Sequence, residues 1–318
     1  MKRLKLVSAA IVLAGATAIS ANAALLAYEP FSGTEGANII GSGGGSGFSE
    51  VWQDNGSATA IGQGGSAVYS SFGLGYVDAF GNVLQTSGGS GYFQGSPTAS
   101  AAVQPNRAFD FTQGLSDGTT WISLIMVRQG PTGTLPLNPF GRGVNVTFDY
   151  PTSSGGANQR VGVGNGSNAG SNSVAILSAG GNIRPTTNAP IAYPFGGGTI
   201  GTATAITNFV VLRIDQVAGA TTFDNVYLWV NPADLTVEPT LISAATNVLG
   251  LFDYTIDRVR VFVGGNANAA QPQGQLYLDE IRVGTTYSDV APVVPEPAVA
   301  AIGGLAIFAL LMYRRRIK

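Results

Sequence analysis

Asn208-Phe209-Val210-Val211-Leu212-Arg213-Ile214-Asp215, Asn225-Val226-Tyr227-Leu228-Trp229-Val230-Asn231 and Asp257-Arg258-Val259-Arg260-Val261-Phe262-Val263 decide the fold class. In the first, Val210, Leu212 and Ile214 share one parity; in the second, Val226, Leu228 and Val230 do. In the third, Val259, Val261 and Val263 alternate with Arg258, Arg260 and Phe262. A period of two sends successive side chains to opposite faces of an extended chain, so these are strands with one buried face. Trp121–Val127 is apolar at both parities, which predicts a central strand covered on each side. In Gln275–Val283, Leu276 and Leu278 occupy one parity and Ile281 and Val283 the other, so a bulge is expected near Asp279-Glu280.

Composition agrees with strands and turns. The chain has 318 residues and 45 glycines, about twice the roughly 7% average. Each glycine inside a helix costs ~1 kcal/mol relative to alanine, so long helices are disfavoured. Glycine-rich runs at Gly41–Gly47, Gly62–Gly65, Ser154–Ser173 and Gly196–Gly198 read as loops. The expected architecture is all-β: a two-sheet antiparallel jelly-roll sandwich over residues 24–290.

Histidine and cysteine are both absent. That excludes Ser-His-Asp and Cys-His nucleophiles, His- or Cys-ligated zinc, haem and iron–sulfur sites, and disulfides. Carboxylates, tyrosine, arginine and hydroxyls remain for chemistry, with oxygen-ligated calcium or magnesium open to them. Lysine occurs only at Lys2, Lys5 and Lys318, and from Ala24 to Val294 nine scattered arginines face seventeen acids. No basic stripe exists there for a nucleic-acid partner.

Both ends read as targeting segments. Met1-Lys2-Arg3-Leu4-Lys5, an apolar run to about Ile19 and Ala21-Asn22-Ala23 make a secretory signal over 1–23, cut between Ala23 and Ala24. Residues 291–297 form a Pro-rich stalk containing Pro295-Glu296-Pro297. Sixteen apolar residues follow, Ala298–Tyr313, then a basic tail over 314–318 with Arg314, Arg315 and Arg316. Sixteen helical residues span about 24 Å against a hydrocarbon core of ~30 Å, a shortfall that snorkelling arginines relieve. The basic tail stays cytoplasmic, leaving the body outside the inner membrane.

The order Pro295-Glu296-Pro297, glycine-bearing apolar helix, arginine cluster resembles the PEP-CTERM sorting signal of Gram-negative bacteria. The resemblance implies exosortase as processing partner, a membrane-anchored precursor, delivery to the cell surface or matrix, and association with exopolysaccharide. The body resembles the concanavalin A-like (LamG-like) jelly roll. That likeness is carried by Leu25–Phe31, Phe209–Asp215, Val226–Pro232, Asp257–Arg260 and Leu278–Thr286.

Candidate sites are sparse. The sandwich family includes glucanases that place paired acids on one strand as Glu-x-Asp-x-x-Glu, and no such motif occurs. Asp279 and Glu280 are adjacent and face opposite ways in a regular strand, and Asp279 is read as a structural residue bonded to loop backbone. Asp224, Asp234 and Asp253 are weak calcium candidates, none with EF-hand spacing. Tyr227 and Trp229 share a strand face, open to reading as a glycan platform or as packing. Asn145-Val146-Thr147 matches the glycosylation pattern. The expectation is a non-catalytic surface or matrix module with no catalytic residue and no cofactor. The alternative is a polysaccharide-cleaving enzyme of the same class, using carboxylates or a Tyr–Arg pair.

Overall fold

The computed structural model describes residues 24–55, 57–129, 143–149, 160–164, 175–177, 206–218, 223–244, 246–266 and 273–294. The signal segment 1–23 and the sorting motif with its apolar run and basic tail, residues 295–318, lie outside them, as does the glycine run Gly196–Gly198. Thirteen strands are described: β1 (Leu25–Glu29), β2 (Ser66–Ser70), β3 (Ser90–Gln94), β4 (Asn106–Gln113), β5 (Gly118–Gln129), β6 (Val144–Asp149) and β7 (Arg160–Gly164). They continue with β8 (Ala175–Leu177), β9 (Asn208–Gln216), β10 (Asp224–Val230), β11 (Thr246–Phe252), β12 (Ile256–Val263) and β13 (Gln275–Gly284). Two short helices, α1 (Ser57–Gly62) and α2 (Tyr287–Val290), complete the list with one 3-10 turn, Leu241–Ser243.

The strands form two antiparallel sheets. Eight belong to the first, in the order β11-β10-β9-β5-β13-β3-β2, with β1 also paired to β13. The second has five, in the order β4-β12-β6-β7-β8. Their apolar parities meet in one core: Ile122, Leu124, Met126, Val210, Leu212 and Ile214 from the first sheet pack with Val144, Val146, Phe148, Val259, Val261 and Val263 from the second. This is a two-sheet antiparallel β-sandwich with few helices.

β5 lies between β9 and β13, as a doubly apolar strand should. Its other parity, Trp121, Ile125 and Val127, joins Phe209, Val211 and Trp229 in a second cluster on the outward face of the first sheet. Leu74, Leu84, Leu235, Tyr287 and Val290 close that cluster from above. The register of β13 against β5 slips between Asp279 and Arg282, and Glu280 has φ 55°. That bulge returns Ile281 and Val283 to the core, as the sequence pattern requires. One loop reading is corrected. The run Ser154–Ser173 contains β7, because Val161 and Val163 alternate with glycine and are fully buried. The chain stays on the body through Val294, whose N–H donates to Val83 O at 2.9 Å.

One buried ion pair ties the sheets together at their edge. Glu29, at the end of β1, receives the Phe31 N–H (3.0 Å), the Trp52 indole N–H (3.1 Å) and the guanidinium of Arg107 on β4. Arg107 also donates to Glu50 O and Gly44 O, both at 2.8 Å, and lies 4.0 Å over the Phe48 ring. Arg107→Ala strands a carboxylate in the interior and is expected to cost about 3–5 kcal/mol. Urea unfolding checks this, and the double variant Glu29→Gln/Arg107→Met should recover part of the loss, because it leaves no charge unpaired.

Candidate active site

The outward face of the five-stranded sheet is polar yet withdrawn from water. β6 sends Val144, Val146 and Phe148 into the core, so Asn145, Thr147 and Asp149 point the other way. They are only 7%, 2% and 6% exposed. In register on β12 lie Phe262 opposite Asn145, Arg260 opposite Thr147 and Arg258 opposite Asp149. On the far side of β12, Asn106 pairs with Arg260 and Ala108 with Arg258. Directly opposite residues on one sheet face have Cβ atoms ~5 Å apart, so the row is a contiguous patch of donors, hydroxyl and carboxylate.

β7 makes room for that row. Gly162 pairs with Thr147 and Gly164 with Asn145. A Cβ on Gly162 would sit 2.7 Å from Thr147 Cγ2, and one on Gly164 would sit 2.7 Å from Asn145 Cβ. Only glycine lets the polar side chains of β6 lie over this strand. Thr147 Oγ1 is buried with no hydrogen-bond partner among the described residues. Buried polar atoms ordinarily have a partner, so leaving this hydroxyl without one costs stability.

The charges of the patch balance, with Arg258 and Arg260 set against Asp149 and Asp257. Asp257 holds Arg258 in a forked pair, Nε to Oδ1 at 2.9 Å and Nη2 to Oδ2 at 3.3 Å. That hydrogen bond raises the Arg258 pKa against the opposing effect of burial, and the charges of Asp257, Asp149 and Glu50 add to the rise. The guanidinium is therefore a permanent charge beside a carboxylate and two amides.

A second cluster gathers at the β13 bulge. Tyr28 OH donates to both oxygens of Glu280 at 3.0 Å, and Ser87 N–H donates to Oε1 at 2.7 Å. Arg282 is ion-paired with Glu280, donates to Gln85 O at 2.5 Å and lies 4.8 Å over the Tyr28 ring. Tyrosine, arginine and acid do converge here, bonded mostly to one another and to the 85–87 loop, while Arg282 Nη1 is buried without a hydrogen-bond partner among the described residues. Asp279 likewise receives Leu74 N–H and Glu280 N–H, both at 2.8 Å. This cluster anchors the layer over the first sheet.

The other sequence candidates are dispersed. Trp229 is 3% exposed and stacks on Trp121 at 5.7 Å and on the half-buried Tyr227 at 6.1 Å. Its indole N–H donates to Ser243 Oγ at 3.2 Å. A cavity of about 420 Å³ adjoins it, lined in part by Asn231, Asp234, Glu238 and Thr240. Asp224 caps backbone, receiving Val217 N–H (2.9 Å) and Tyr254 N–H (2.7 Å). Asp234 receives Thr236 N–H at 2.8 Å, and Asp253 is half-buried beside Asp224. Among the described residues no three carboxylates gather as a metal site would require. Ala24 is exposed at the start of the described chain, while Ala21, Ala23, Pro295, Glu296, Pro297, Arg314, Arg315 and Arg316 lie outside it.

No protein-family profile and no curated protein matches the chain. Solved structures with a similar fold include the endo-β-1,4-glucuronan lyase of the fungus Trichoderma reesei, at 13% identity and TM-score 0.41 over 77% of this chain and 98% of that one. The alginate lyase of Aplysia kurodai is 10% identical, TM-score 0.37, over 69% and 87%. A glycoside hydrolase family 131 catalytic domain of Coprinopsis cinerea is 15% identical, TM-score 0.33, over 66% and 75%. Polysaccharide lyases and a glycoside hydrolase are among these folds, so the expectation of a non-catalytic module is not carried further; the likeness itself is one of fold alone. The polar row of β6 and β12 was not singled out from the sequence. Asn145 and Thr147 were visible only as a glycosylation pattern, and Arg258 and Arg260 only as the polar parity of a strand.

The buried acid at the bulge makes a separate prediction. Burial pushes the Asp279 carboxyl up to about 8, above the ~3.9 of an unfolded chain, so its neutral form is the one the fold prefers. Its stabilising contribution is full below pH ~4 and is lost as pH rises through about 8. Asp279→Asn, which keeps an acceptor for Leu74 N–H, should flatten the fall in melting temperature across that interval.

Proposed function

We propose that this chain is an exported polysaccharide-cleaving enzyme with a concanavalin A-like jelly-roll body, acting by β-elimination on a uronate-containing glycan. The observation that carries the reading is the withdrawn polar row of β6 and β12: Asn145, Thr147 and Asp149 set against Arg258 and Arg260. Hydrolysis with retention or inversion needs two carboxyls at a set separation across the bond. This row offers one buried carboxylate, Asp149, among guanidinium and amide donors.

Elimination follows from those groups. Arg258, Arg260 and Asn145 bind the uronate carboxylate and take up the charge that develops on it as the adjacent C–H bond breaks. Asp149 removes the C5 proton, the electron pair forms the C4–C5 double bond, and the C4–O glycosidic bond breaks. The protonated Asp149 returns its proton to the departing oxygen, so the carboxylate is regenerated. Thr147 supplies a hydroxyl to the bound sugar. Each step uses groups of this chain.

Location completes the reading. Residues 1–23 serve as the cleaved signal, and Pro295-Glu296-Pro297 with the apolar run 298–313 and the arginine tail serves as a PEP-CTERM sorting signal for exosortase. The order and spacing of the two terminal segments support this. The substrate would then be the exopolysaccharide reached at the cell surface. Among the described residues no helix is long and apolar enough to cross a membrane.

A panel of polyuronates and the host exopolysaccharide tests the activity through the ultraviolet absorbance of the new double bond. Asp149→Asn and Arg260→Ala should each lower turnover by ~10²–10⁴-fold with little change in melting temperature. Unchanged turnover in both variants, or reducing ends released without the double bond, would refute the elimination.

A further inference from the structure

The first sheet and its covering layer present a second feature. Val77 and Val83 are bridged as a tight hairpin whose tip is Phe80, and Phe80 is 75% exposed. Val77, Val83 and Val294 are 56%, 45% and 47% exposed. Asp78 holds the tip rigid, receiving Phe80 N–H and Asn82 N–H at 2.9 Å, Asn82 Nδ2 at 2.8 Å and Leu235 N–H at 2.7 Å. From Ser70 to Ser100 the sequence contains no other charged residue. An exposed aromatic on a braced turn with exposed valines at its base is a surface that water solvates poorly.

The hairpin is fixed to the place where the chain leaves the body. Leu84 bridges Val293, Gln85 N–H donates to Pro292 O at 2.8 Å, and Val294 N–H donates to Val83 O at 2.9 Å. Four residues beyond Val294 the apolar run begins at Ala298. Four extended residues reach at most about 14 Å, while one headgroup layer is ~5–8 Å thick. If Ala298 enters the hydrocarbon, Val294 and the hairpin bonded to it are held at the bilayer surface.

We propose that the Val77–Val83 hairpin is a membrane-docking element that seats Phe80 in the headgroup region of the bilayer before the tail is processed. This rests on the membrane-spanning reading of residues 298–313. Phe side chains sit on the buried face of interfacial anchors, and with no basic residue between Ser70 and Ser100 the attraction is apolar, independent of anionic lipid. Docking also orients the enzyme. Leu74 and Leu84 belong to the layer over the eight-stranded sheet. The Arg258/Arg260 row lies on the other sheet and would face away from the membrane, toward extracellular glycan.

The absence of native cysteine permits a clean test. The exposed Ala79 is replaced in the full chain, Ala79→Cys, and labelled with an environment-sensitive fluorophore, leaving Phe80 in place. Val51→Cys, 40% exposed beside the second-sheet edge, serves as control. Both are reconstituted into phosphatidylcholine vesicles and separated by flotation. The expected result is a blue shift with intensity gain at position 79, none at 51, and loss of the shift in Ala79→Cys/Phe80→Asp. A chain that floats with position 79 unshifted, or with 79 and 51 shifted alike, overturns the docking element and leaves the tail reading intact. A chain that does not float overturns both.

Discussion

The Glu29 carboxylate and the Arg107 guanidinium meet at the edge where the two sheets join, one from β1 and the other from β4. Neither has appreciable access to water, so each is tolerable only in the presence of the other. Their remaining hydrogen bonds reach Phe31, Trp52, Glu50 and Gly44, which pins the long connection between β1 and β2 to both sheets. β4 then holds β12 in register, and β12 sets Arg258 and Arg260 against β6. A chain without cysteine has no covalent staple to do this.

The sandwich treats its two outward faces differently. The face of the first sheet carries Trp121, Phe209, Val211 and Trp229, and it is sealed by loops and α2 into a second apolar cluster. The face of the second sheet carries amide, hydroxyl, carboxylate and guanidinium groups that no apolar layer could cover cheaply. Burying polar groups is costly unless they are matched. The aromatic face of the first sheet, by contrast, has used its surface in packing.

Strand positions were legible because a period of two survives in sequence whenever one face is buried. Val210/Leu212/Ile214 and Val259/Val261/Val263 are the clearest cases, and the double apolarity of Trp121–Val127 revealed a covered central strand. The Asp279-Glu280 bulge was legible for the same reason, as a change of parity. β7 was not, since Gly162 and Gly164 made it look like a loop; their role emerges only when β6 lies alongside. The candidate site was less legible still. Its residues come from strands more than a hundred positions apart, and cross-strand register is a tertiary property that no local pattern encodes. Tyr227 and Trp229 stayed open between platform and packing because the sequence does not say which face of a sheet another layer will cover.

The central claim is that the polar row of β6 and β12 binds the glycan chain. Side-chain N–H resonances of Asn145, Arg258 and Arg260, followed while a uronate oligosaccharide is titrated into the Asp149→Asn protein, test it most directly. The account predicts that these three move together and saturate at one ligand concentration, with the Trp229 indole N–H unmoved. Movement of the Trp229 resonance with the arginines silent would contradict it.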